Sequence, residues 1–491
     1  MSAWSAESFR RAKLHLPLHP LEKTLLGVLS VHLCFLPWAL GDMHAWSEWI
    51  SLGLGLIGMG LALAPREYHL LLSAEGKPYR LVLWTKLKRF PIFWLGMALL
   101  LYVALQGFNP SWRYSQSVQV WWLLRVRDVP WLPTGVEAPF GKFNAWRDFI
   151  IGLAAWSATC SVWVGITRRK SLRILLVVIT INALALFAAG AYQRFVSDMS
   201  GFWLPSVAAG ARLTATFIYH NHAGAYFALM TFVPVALATW YYYHGIRNLM
   251  KSTPVGVLAF AGLILAGAVL FTFSRGATLI MSVAVVVLLG WFLLDRNRQP
   301  AAHGGSPAVT KIMVAVFTIF VLVAARYLDF SNVYNRFDSL ASQQSGEYSV
   351  HSRVLAHEAA ADMLGAHALR GVGAGGFRYL FPEYLKRYPE IYQDGQLFWE
   401  HAHSDWLEVP IELGVFGDMV LLGGAGWWLW LFASRRAYRN TLAAPLLLGC
   451  GQTVVHATFD FPFHCPAIMI TWCVLVAVAG RWVELDHDVS V

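Results

Sequence analysis

The sequence predicts an all-α membrane protein of about twelve transmembrane helices, with a helical loop domain outside the membrane. Of its 491 residues, 57% are hydrophobic and only 13% are charged, and the mean hydropathy is +0.50. A bilayer core about 30 Å thick needs roughly 20 apolar residues per spanning helix, and runs of that length recur along the chain. The predicted spans centre near Val31, Leu56, Ala98, Ala155, Thr180, Thr231, Leu263, Val285, Phe317, Met419, Leu448 and Leu475.

The distribution of basic residues predicts the orientation of these spans. If the N-terminus is inside, most of the 38 Lys and Arg residues fall in cytoplasmic segments, as the positive-inside rule requires. The first apolar run follows Arg10, Arg11, Lys13 and Lys23 without a small-residue cleavage site, so we interpret it as an anchor. We expect both termini to be cytoplasmic. Basic loops against anionic lipid headgroups account for the net charge of +10, so no nucleic acid is expected as a partner.

Two segments between spans are long enough to form structure outside the membrane. Residues 108–147 are rich in aromatic residues and prolines, and residues 329–404 separate the ninth and tenth spans. The predicted organisation is therefore residues 1–328 with nine spans, a helical loop at 329–404, and residues 405–491 with three spans. Within the loop, residues 352–364 carry apolar side chains at helical spacing, and the glycines of residues 371–376 end that pattern. These glycines are not a phosphate loop, because no strand precedes them and no GK[ST] follows.

The run from His401 to Glu408 is the first candidate for chemistry. It lies where the loop meets a hydrophobic helix, and His403 can accept a proton near neutral pH. Asp405, Glu408 and Glu412 are three and four residues apart, so we expect them to share one helix face. These carboxylates could orient His403 or pair with an arginine at the membrane boundary.

Two arginines near the outer boundary indicate an anionic substrate. Nucleotides are scarce outside the cytoplasmic membrane, so a catalyst there needs a substrate that is already activated, such as a lipid-borne diphosphate sugar. Arg275 lies in a Ser274-Arg275-Gly276 turn with almost no loop, and Arg212 begins the run into the sixth span. Arginine binds phosphate oxygens bidentately, and a charge at this depth is costly unless it is paired. A snorkelling or ordinary loop arginine is the alternative.

Together these pieces resemble the O-antigen ligase and polymerase superfamily of membrane glycosyltransferases. The shared pattern is an Arg before an Asn-containing start of a span, an S-R-G turn, and an H-[NSQ]-x9-G motif after the large loop. Its counterparts here are Arg212 with Asn221, Ser274-Arg275-Gly276, and His403-Ser404 with Gly414. The helix at Arg353 and the following Gly371-Val372-Gly373 also resemble the loop of the family. The resemblance covers roughly residues 175 to 435.

The resemblance implies a GT-C-like fold in a bacterial inner membrane, with a periplasmic active site. His403 would act as base on an acceptor hydroxyl, and Arg212 and Arg275 would hold an undecaprenyl-diphosphate-linked glycan donor. Transfer would be direct and inverting, without a metal or other cofactor, onto lipid A-core or another glycan. Membrane lipids are the other expected partners. The supporting positions under this interpretation are Asn221, Ser404, Asp405, Glu408 and Arg353.

One part of the chain departs from the pattern of the family. The common Asn-Pro-Asn run appears here as residues 219–222, Tyr-His-Asn-His, so we expect the local turn to differ. The change creates a second H-x-H pair, at His220 and His222, besides His401 and His403. Neither pair has a third zinc ligand at diagnostic spacing, and the five cysteines show no metal spacing either. We therefore predict no metal site, and we interpret His401 as a polar interface residue.

The sequence is also compatible with other functions. A polymerase would use the same donor with a different acceptor, and a protein O-oligosaccharyltransferase would use a Ser or Thr acceptor. His456, Asp460 and His464 form a further stripe at four-residue spacing, which the sequence does not assign to a role. Such a stripe would suit a proton relay in a transporter. A transporter is nevertheless disfavoured, because the spans show no clear internal repeat.

Overall fold

The chain is mostly helical in the residues that the computed structural model describes, which are 17–72, 78–118, 120–195, 213–250, 252–298, 350–392 and 398–490. The helices are α1 (Pro20–Trp38), α2 (Ala45–Leu63), α3 (Trp84–Lys88), α4 (Pro91–Phe108), α5 (Ala145–Gly165), α6 (Arg169–Phe195), α7 (His220–Arg247), α8 (Val255–Phe271), α9 (Arg275–Arg298), α10 (Val350–His367), α11 (Phe377–Leu385), α12 (Pro389–Tyr392), α13 (Asp405–Ser434), α14 (Ala443–His456) and α15 (Pro466–Ser490). The strands are β1 (Arg66–Leu72), β2 (Pro78–Leu81), β3 (Pro110–Gln116), β4 (Trp121–Arg125) and β5 (Gly135–Glu137).

Eight of the described helices are long and apolar enough to cross a membrane, namely α2, α4, α5, α6, α7, α9, α13 and α15. Each coincides with a predicted span, which confirms a polytopic membrane protein. Three further predicted spans fall on α1, α8 and α14, of which α8 and α14 have only 17 and 14 residues. The span predicted near Phe317 lies outside the described residues, so the total of twelve stays a prediction.

The fold is not wholly helical, and the expectation of an all-α protein is wrong in two places. β1 and β2 form an antiparallel hairpin between α2 and α3. β3 is the centre of a three-stranded sheet, antiparallel to β4 and parallel to β5. This sheet occupies the aromatic-rich segment, where Trp112 and Tyr114 stand two residues apart and therefore lie on one face. The alternation of aromatic and polar side chains along residues 112–115, rather than the aromatic content, is the feature that predicts a strand here.

Helices α5, α7 and α15 lie at the centre of the bundle. Their buried residues share one apolar core with α1, α6 and α14. Glycines bring these helices together closely: a Cβ on Gly165 of α5 would lie 2.3 Å from the Leu25 side chain, and one on Gly449 of α14 would lie 2.5 Å from Phe232. Close van der Waals contact of this kind holds helices together in a bilayer, where lipid tails are as apolar as the helices. The bundle therefore offers rigid helix ends for a site.

The two long segments pack against each other as one unit, called here the head unit (the described residues of 109–144 and 350–404). One face of the sheet, with Trp112 and Tyr114, lies on the apolar side of α10 and α11. Arg370 links the segments, since its guanidinium donates to Asp128 Oδ2 at 2.5 Å and to the Leu132 carbonyl at 2.8 Å. The predicted boundary at residue 329 lies outside the described residues and stays a prediction.

Candidate functional site

The segments that carry the motif residues meet at one end of the bundle. The start of α7 touches the S-R-G turn (Ser274–Gly276), since a Cβ on Gly224 would lie 2.7 Å from the Ser274 Cβ. The same turn faces the end of α14, where His456 Nε2 lies 3.3 Å from the Cβ position of Gly276. The start of α13 joins them, because the N–H of its first residue donates to the Ala457 carbonyl at 2.9 Å. Motif pieces that are far apart in the sequence are therefore neighbours.

Phe461 is the aromatic centre of this site, and no sequence pattern selects it. Its ring stacks on His401 with the centroids 4.3 Å apart and on Tyr219 with the centroids 5.4 Å apart. It also makes edge contacts with His222 and His403, at 5.1 and 5.2 Å between centroids. Phe461 thus connects the start of α7 with the loop that precedes α13.

Glu408 positions that loop through both of its carboxylate oxygens. Oε1 accepts a hydrogen bond from His401 Nδ1 at 2.8 Å, and Oε2 accepts one from the Ala402 N–H at 2.8 Å. The side chain is only 1% exposed, so these bonds offset the cost of removing a carboxylate from water. We expected the carboxylates of α13 to orient His403 or pair with Arg275. Among the described residues, Glu408 instead bonds to the loop through His401.

His464 joins Asp405 to Glu408. Its Nδ1 donates to Asp405 Oδ1 at 2.6 Å, and its Nε2 lies 3.2 Å from Glu408 Oε1. Both ring nitrogens face carboxylate oxygens, which only accept, so the ring carries two protons and a positive charge. Burial lowers the pKa of His464, but the charge of Glu408 and the hydrogen bond with Asp405 outweigh burial and raise the pKa to about 10.

The stripe of His456, Asp460 and His464 is not a helix face. α14 ends at His456, and residues 462–464 form a separate 3-10 turn. Pro462 disfavours helical geometry at Phe461, which keeps this turn separate from α14. The three side chains therefore serve different neighbours, and four-residue spacing across a helix end does not predict a relay.

Arg378 determines which nitrogen of His401 carries the proton. Its Nη2 lies 3.3 Å from His401 Nε2, and a guanidinium can only donate. Nε2 must then accept, so the proton is assigned to Nδ1, which donates it to Glu408. The guanidinium also lies 4.0 Å above the Phe143 ring, which holds it within the head unit. Our interpretation of His401 as a simple interface residue is therefore incomplete, since both of its nitrogens are engaged.

Three of these residues also form the group that could hold a metal ion. The ligand atoms of His401, Glu408 and His464 lie within 4.8 Å of one another. Their positions in the chain show no ligand spacing, so the sequence does not group them. Nδ1 of His401 and Nε2 of His464 each carry a proton directed at Glu408, and a metal ion would have to displace both. Without an ion the three side chains form a hydrogen-bonded network, and the absence of a metal site stays a prediction.

His403, the predicted base, has an unusual backbone and an unpaired nitrogen. Its φ of 53° costs a non-glycine residue about 1–3 kcal/mol, a strain that is typical of functional sites. Its Nδ1 is buried and has no hydrogen-bond partner in the part of the chain that the structure describes. Burial, followed by the positive charge of Arg353, lowers the pKa of His403 to about 3. The ring is therefore neutral at physiological pH.

Arg353 brings α10 into the site. Its charge acts on the half-buried His403 and on the buried Asp460. Burial raises the pKa of Asp460 to about 6, while Arg353 and a hydrogen bond with Asn221 oppose this rise. Asn221 also donates to the Tyr219 hydroxyl at 2.6 Å. Two of the predicted supporting residues, Arg353 and Asn221, thus lie around the same carboxylate.

The structure describes only one of the two arginines predicted to hold a diphosphate. Arg275 is the first residue of α9 and is exposed, next to the glycine that faces His456. Arg212 lies outside the described residues. Leu213, the residue after it, donates its N–H to the Phe271 carbonyl at 2.8 Å, so the chain that leads to α7 runs past the end of α8.

Gly414, the last residue of the H-S-x9-G motif, interrupts α13. Its φ of 65° with ψ of 178° is a conformation that essentially only glycine adopts. The interruption lets the glycines after α10 lie against the helix: the Gly373 N–H donates to the Glu412 carbonyl at 3.0 Å. A Cβ on Gly371 would lie 2.2 Å from that carbonyl oxygen. The glycines after α10 therefore fit against the interruption at Gly414. Ser404, the other motif residue of this helix, is its buried N-cap.

Comparison with known proteins identifies one region. Residues 259–422 match the family model described as O-antigen ligase, Wzy_C. The match begins in α8 and ends in α13, so it includes Arg275, Arg353, His403 and Gly414. It does not reach Asn221. No curated protein and no solved structure matches the chain.

Proposed function

We propose that this chain, whose residues 259–422 match the O-antigen ligase family model, transfers a glycan from a lipid diphosphate to an acceptor hydroxyl. The proposed donor is an undecaprenyl-diphosphate-linked glycan, and the proposed acceptor is lipid A-core. The reaction takes place on the periplasmic side of a bacterial inner membrane, and both termini are cytoplasmic. The observation that carries the proposal is the position of His403 where the motif segments meet, with a strained backbone and a buried Nδ1 that has no partner among the described residues.

His403 removes the proton from the acceptor hydroxyl. A neutral imidazole with an unpaired nitrogen is suited to this role, and general bases of this kind contribute about 10²–10⁴-fold to a rate. A pKa of about 3 makes a weak base, and the charge of Arg353 is one cause of that low value. A bound diphosphate would compensate the charge of Arg353 and so raise the pKa of His403. Donor binding thus makes His403 a stronger base.

Transfer then takes place in one displacement. The acceptor oxygen forms a bond to the anomeric carbon of the donor glycan, and the bond from that carbon to the diphosphate oxygen breaks. The electron pair leaves with the diphosphate, and the configuration at carbon inverts. Arg275 and Arg212 stabilise the negative charge on the leaving group, as planar guanidinium groups do for phosphates. The proton taken by His403 is released to solvent when the products leave.

The remaining residues act through position. Glu408 and Asp405, bonded to His401 and His464, keep the loop around His403 in one conformation. Asn221 bonds to the Tyr219 hydroxyl at the start of α7, and Ser404 is the N-cap residue of α13. Since Glu408 contacts the loop rather than the reacting atoms, its role is positioning.

Reconstitution tests the proposal. Proteoliposomes with purified protein, undecaprenyl-diphosphate-linked glycan and lipid A-core should form glycosylated lipid A-core, and undecaprenyl diphosphate should appear only when both substrates are present. Arg275→Ala should raise the KM for the donor, whereas Arg435→Ala, an exposed arginine at the other end of α13, should not. Longer glycan chains formed without lipid A-core would identify a polymerase, which uses the same donor chemistry. Modified Ser or Thr residues would identify a protein O-oligosaccharyltransferase, and substrate flux without a new glycosidic bond would overturn the proposal.

A further inference from the structure

A cavity of about 350 Å³ that opens to solvent lies on the head unit, away from His403. Its walls come from both segments of that unit, namely from the sheet and its following loop and from the end of α10. The side chains that define it are Trp112, Arg125, Asp128, Thr134, His367 and Arg370. Its volume lies within the range of about 300–1,000 Å³ that is usual for small-molecule sites.

The lining combines one aromatic wall with charged and hydroxyl groups. The partly buried ring of Trp112 borders the cavity, and the guanidinium of Arg125 lies over it, 5.9 Å from its centroid. Opposite charges are paired beside it, since Arg370 donates to Asp128 at 2.5 Å. Such a pair offers donors and acceptors in a plane without leaving a net charge. A ring face next to paired donors and acceptors suits a sugar, which has an apolar C–H face and a rim of hydroxyl groups.

The cavity is connected to the candidate active site through α13. Gly371, which lines the cavity, packs against the Glu412 carbonyl and the backbone of Gly414. Asp405, in the active-site network, lies nine residues before Gly414 on the same helix, which is about 14 Å at about 1.5 Å per residue. A glycan of several sugar units spans such a distance, whereas a single sugar does not.

We propose that this cavity is a saccharide-binding subsite, which holds sugar units of a glycan at a distance from the bond that is formed at His403. The inference rests on the proposed function for its substrate, but the binding itself does not require transfer. In the subsite, Trp112 stacks on a sugar ring, and Asp128, Arg125 and Arg370 bond to its hydroxyl groups. The same chemistry serves a sugar of the donor chain or of the acceptor core.

Direct binding of lipid-free oligosaccharides to the full-length protein in detergent tests the subsite. The probes are the glycan released from the donor lipid and the core oligosaccharide released from lipid A-core, each measured by saturation-transfer NMR and calorimetry. We expect one of them to bind wild-type protein, and which one binds identifies the source. Trp112→Leu and the rim variant Arg125→Gln should weaken that binding, by about tenfold for the loss of the stacked ring. Trp131→Leu is the matched control, because Trp131 is 80% exposed on the same segment.

The variants also separate this inference from the proposed function. His403→Ala should stop transfer and leave oligosaccharide binding unchanged. Binding that persists in a protein without transferase activity would support the subsite while the proposed function fails. Binding that is lost in His403→Ala but kept in both Trp112→Leu and Arg125→Gln would overturn the subsite. Failure of both probes to bind wild-type protein would overturn it as well. Arg125→Gln keeps the test valid if Trp112→Leu does not fold, since Arg125 is exposed.

Discussion

Two histidines only two positions apart have opposite environments. His401 has hydrogen bonds at both nitrogens, to Glu408 and to Arg378, and is 7% exposed. His403 has a strained backbone and a buried Nδ1 without a partner among the described residues. A histidine with hydrogen bonds at both nitrogens has a structural role, whereas a histidine with an unpaired nitrogen can accept or donate a proton. This difference is the physical reason why His403, and not its neighbour, is the proposed base.

His403→Ala should abolish most of the activity while the donor still binds. We expect the transfer rate to fall by about 100- to 10,000-fold, because a general base is removed, with a small change in the KM for the donor. The measurement is single-turnover transfer in proteoliposomes, with His244→Ala as the matched control. His244 bonds only to Asn248 among the described hydrogen bonds, at the other end of α7. Undiminished turnover of His403→Ala would remove the residue from the mechanism.

His464 should make the stability of the protein depend on alkaline pH. Its pKa in the folded protein, about 10, exceeds the value of about 6.5 for an unperturbed histidine, so folding stabilises the charged form. This contribution is complete below about pH 6.5 and is lost as the pH rises toward 10. The titratable groups around the ring are Asp405, Glu408, Glu412, Asp148, His222 and His401.

Thermal unfolding in detergent between pH 7 and 10 measures this effect. The wild-type midpoint should fall over that range, because deprotonation leaves two buried carboxylates without their cation. His464→Gln should unfold at a lower temperature at pH 7 and show a flatter dependence on pH. His244→Ala should keep the wild-type slope. Equal slopes in wild type and His464→Gln would contradict the assignment of a charged His464.

Among the elements, α13 connects the hydrogen-bond network of the candidate site to the head unit. Its first turns carry Asp405 and Glu408, and its interruption at Gly414 receives the glycines that follow α10. Gln106 of α4 closes the contact from the other side, since its Nε2 donates to the Glu412 carbonyl at 2.9 Å and its Oε1 accepts from the Ala374 N–H at 3.1 Å. An unbroken helix would carry a Cβ and a helical backbone into this space. The nine residues between Ser404 and Gly414 thus set the separation along α13 between the loop of His403 and this contact with the glycines after α10, called here the joint.

Gly414→Ala should destabilise the joint. A Cβ at this position would lie 2.6 Å from the Gly371 nitrogen, and the backbone conformation itself disfavours alanine by about 1–3 kcal/mol. We expect a lower free energy of unfolding and a reduced rate of transfer, both measured in detergent. Gly426→Ala is the control, because Gly426 lies on the same helix with no atom within 4 Å of its Cβ position. Equal stability of the two variants would show that the joint tolerates a side chain.

At the scale of the whole molecule, two segments that are distant in the chain become one unit over the site. Gly373 approaches the sheet so closely that a Cβ on it would lie 2.3 Å from the Gly135 Cα. A second contact links the same two segments, since the Tyr379 hydroxyl of α11 donates to the Phe143 carbonyl at 2.7 Å. These contacts attach the sheet to the helices that carry Arg353 and Arg378. The surroundings of His403 therefore depend on both segments.

Loss of the Arg370–Asp128 pair should loosen this unit. The pair is partly buried, at 29% and 16% exposed, so we expect a coupling of about 0.5–3 kcal/mol in a double-mutant cycle of Arg370→Met and Asp128→Asn. Hydrogen exchange of β3 and β4 should accelerate in each single variant. The exposed pair Arg113–Glu137, at 54% and 49%, provides the control cycle, where we expect about 0–1 kcal/mol. Similar couplings in both cycles would indicate that the segments are held by the apolar core alone.

Local patterns were sufficient for much of the architecture. Apolar runs located the eight spans because burial in lipid acts on each helix separately. The S-R-G and H-S-x9-G motifs selected Arg275, His403 and Gly414, all of which lie within the matched family domain. The sheet at residues 110–137 was missed, because its signal is a period of two within a short aromatic segment.

The sequence by itself determined the class of protein, the positions of its spans and the residues that carry the family motifs, because these follow from composition and short-range spacing. Only the tertiary structure decided that Phe461 connects those motifs, that Arg378 and Glu408 determine the proton position on His401, and that His464 is charged. These properties depend on side chains brought together from separate helices. Hydrogen-bond geometry and burial act across space, and no periodicity along the chain encodes them.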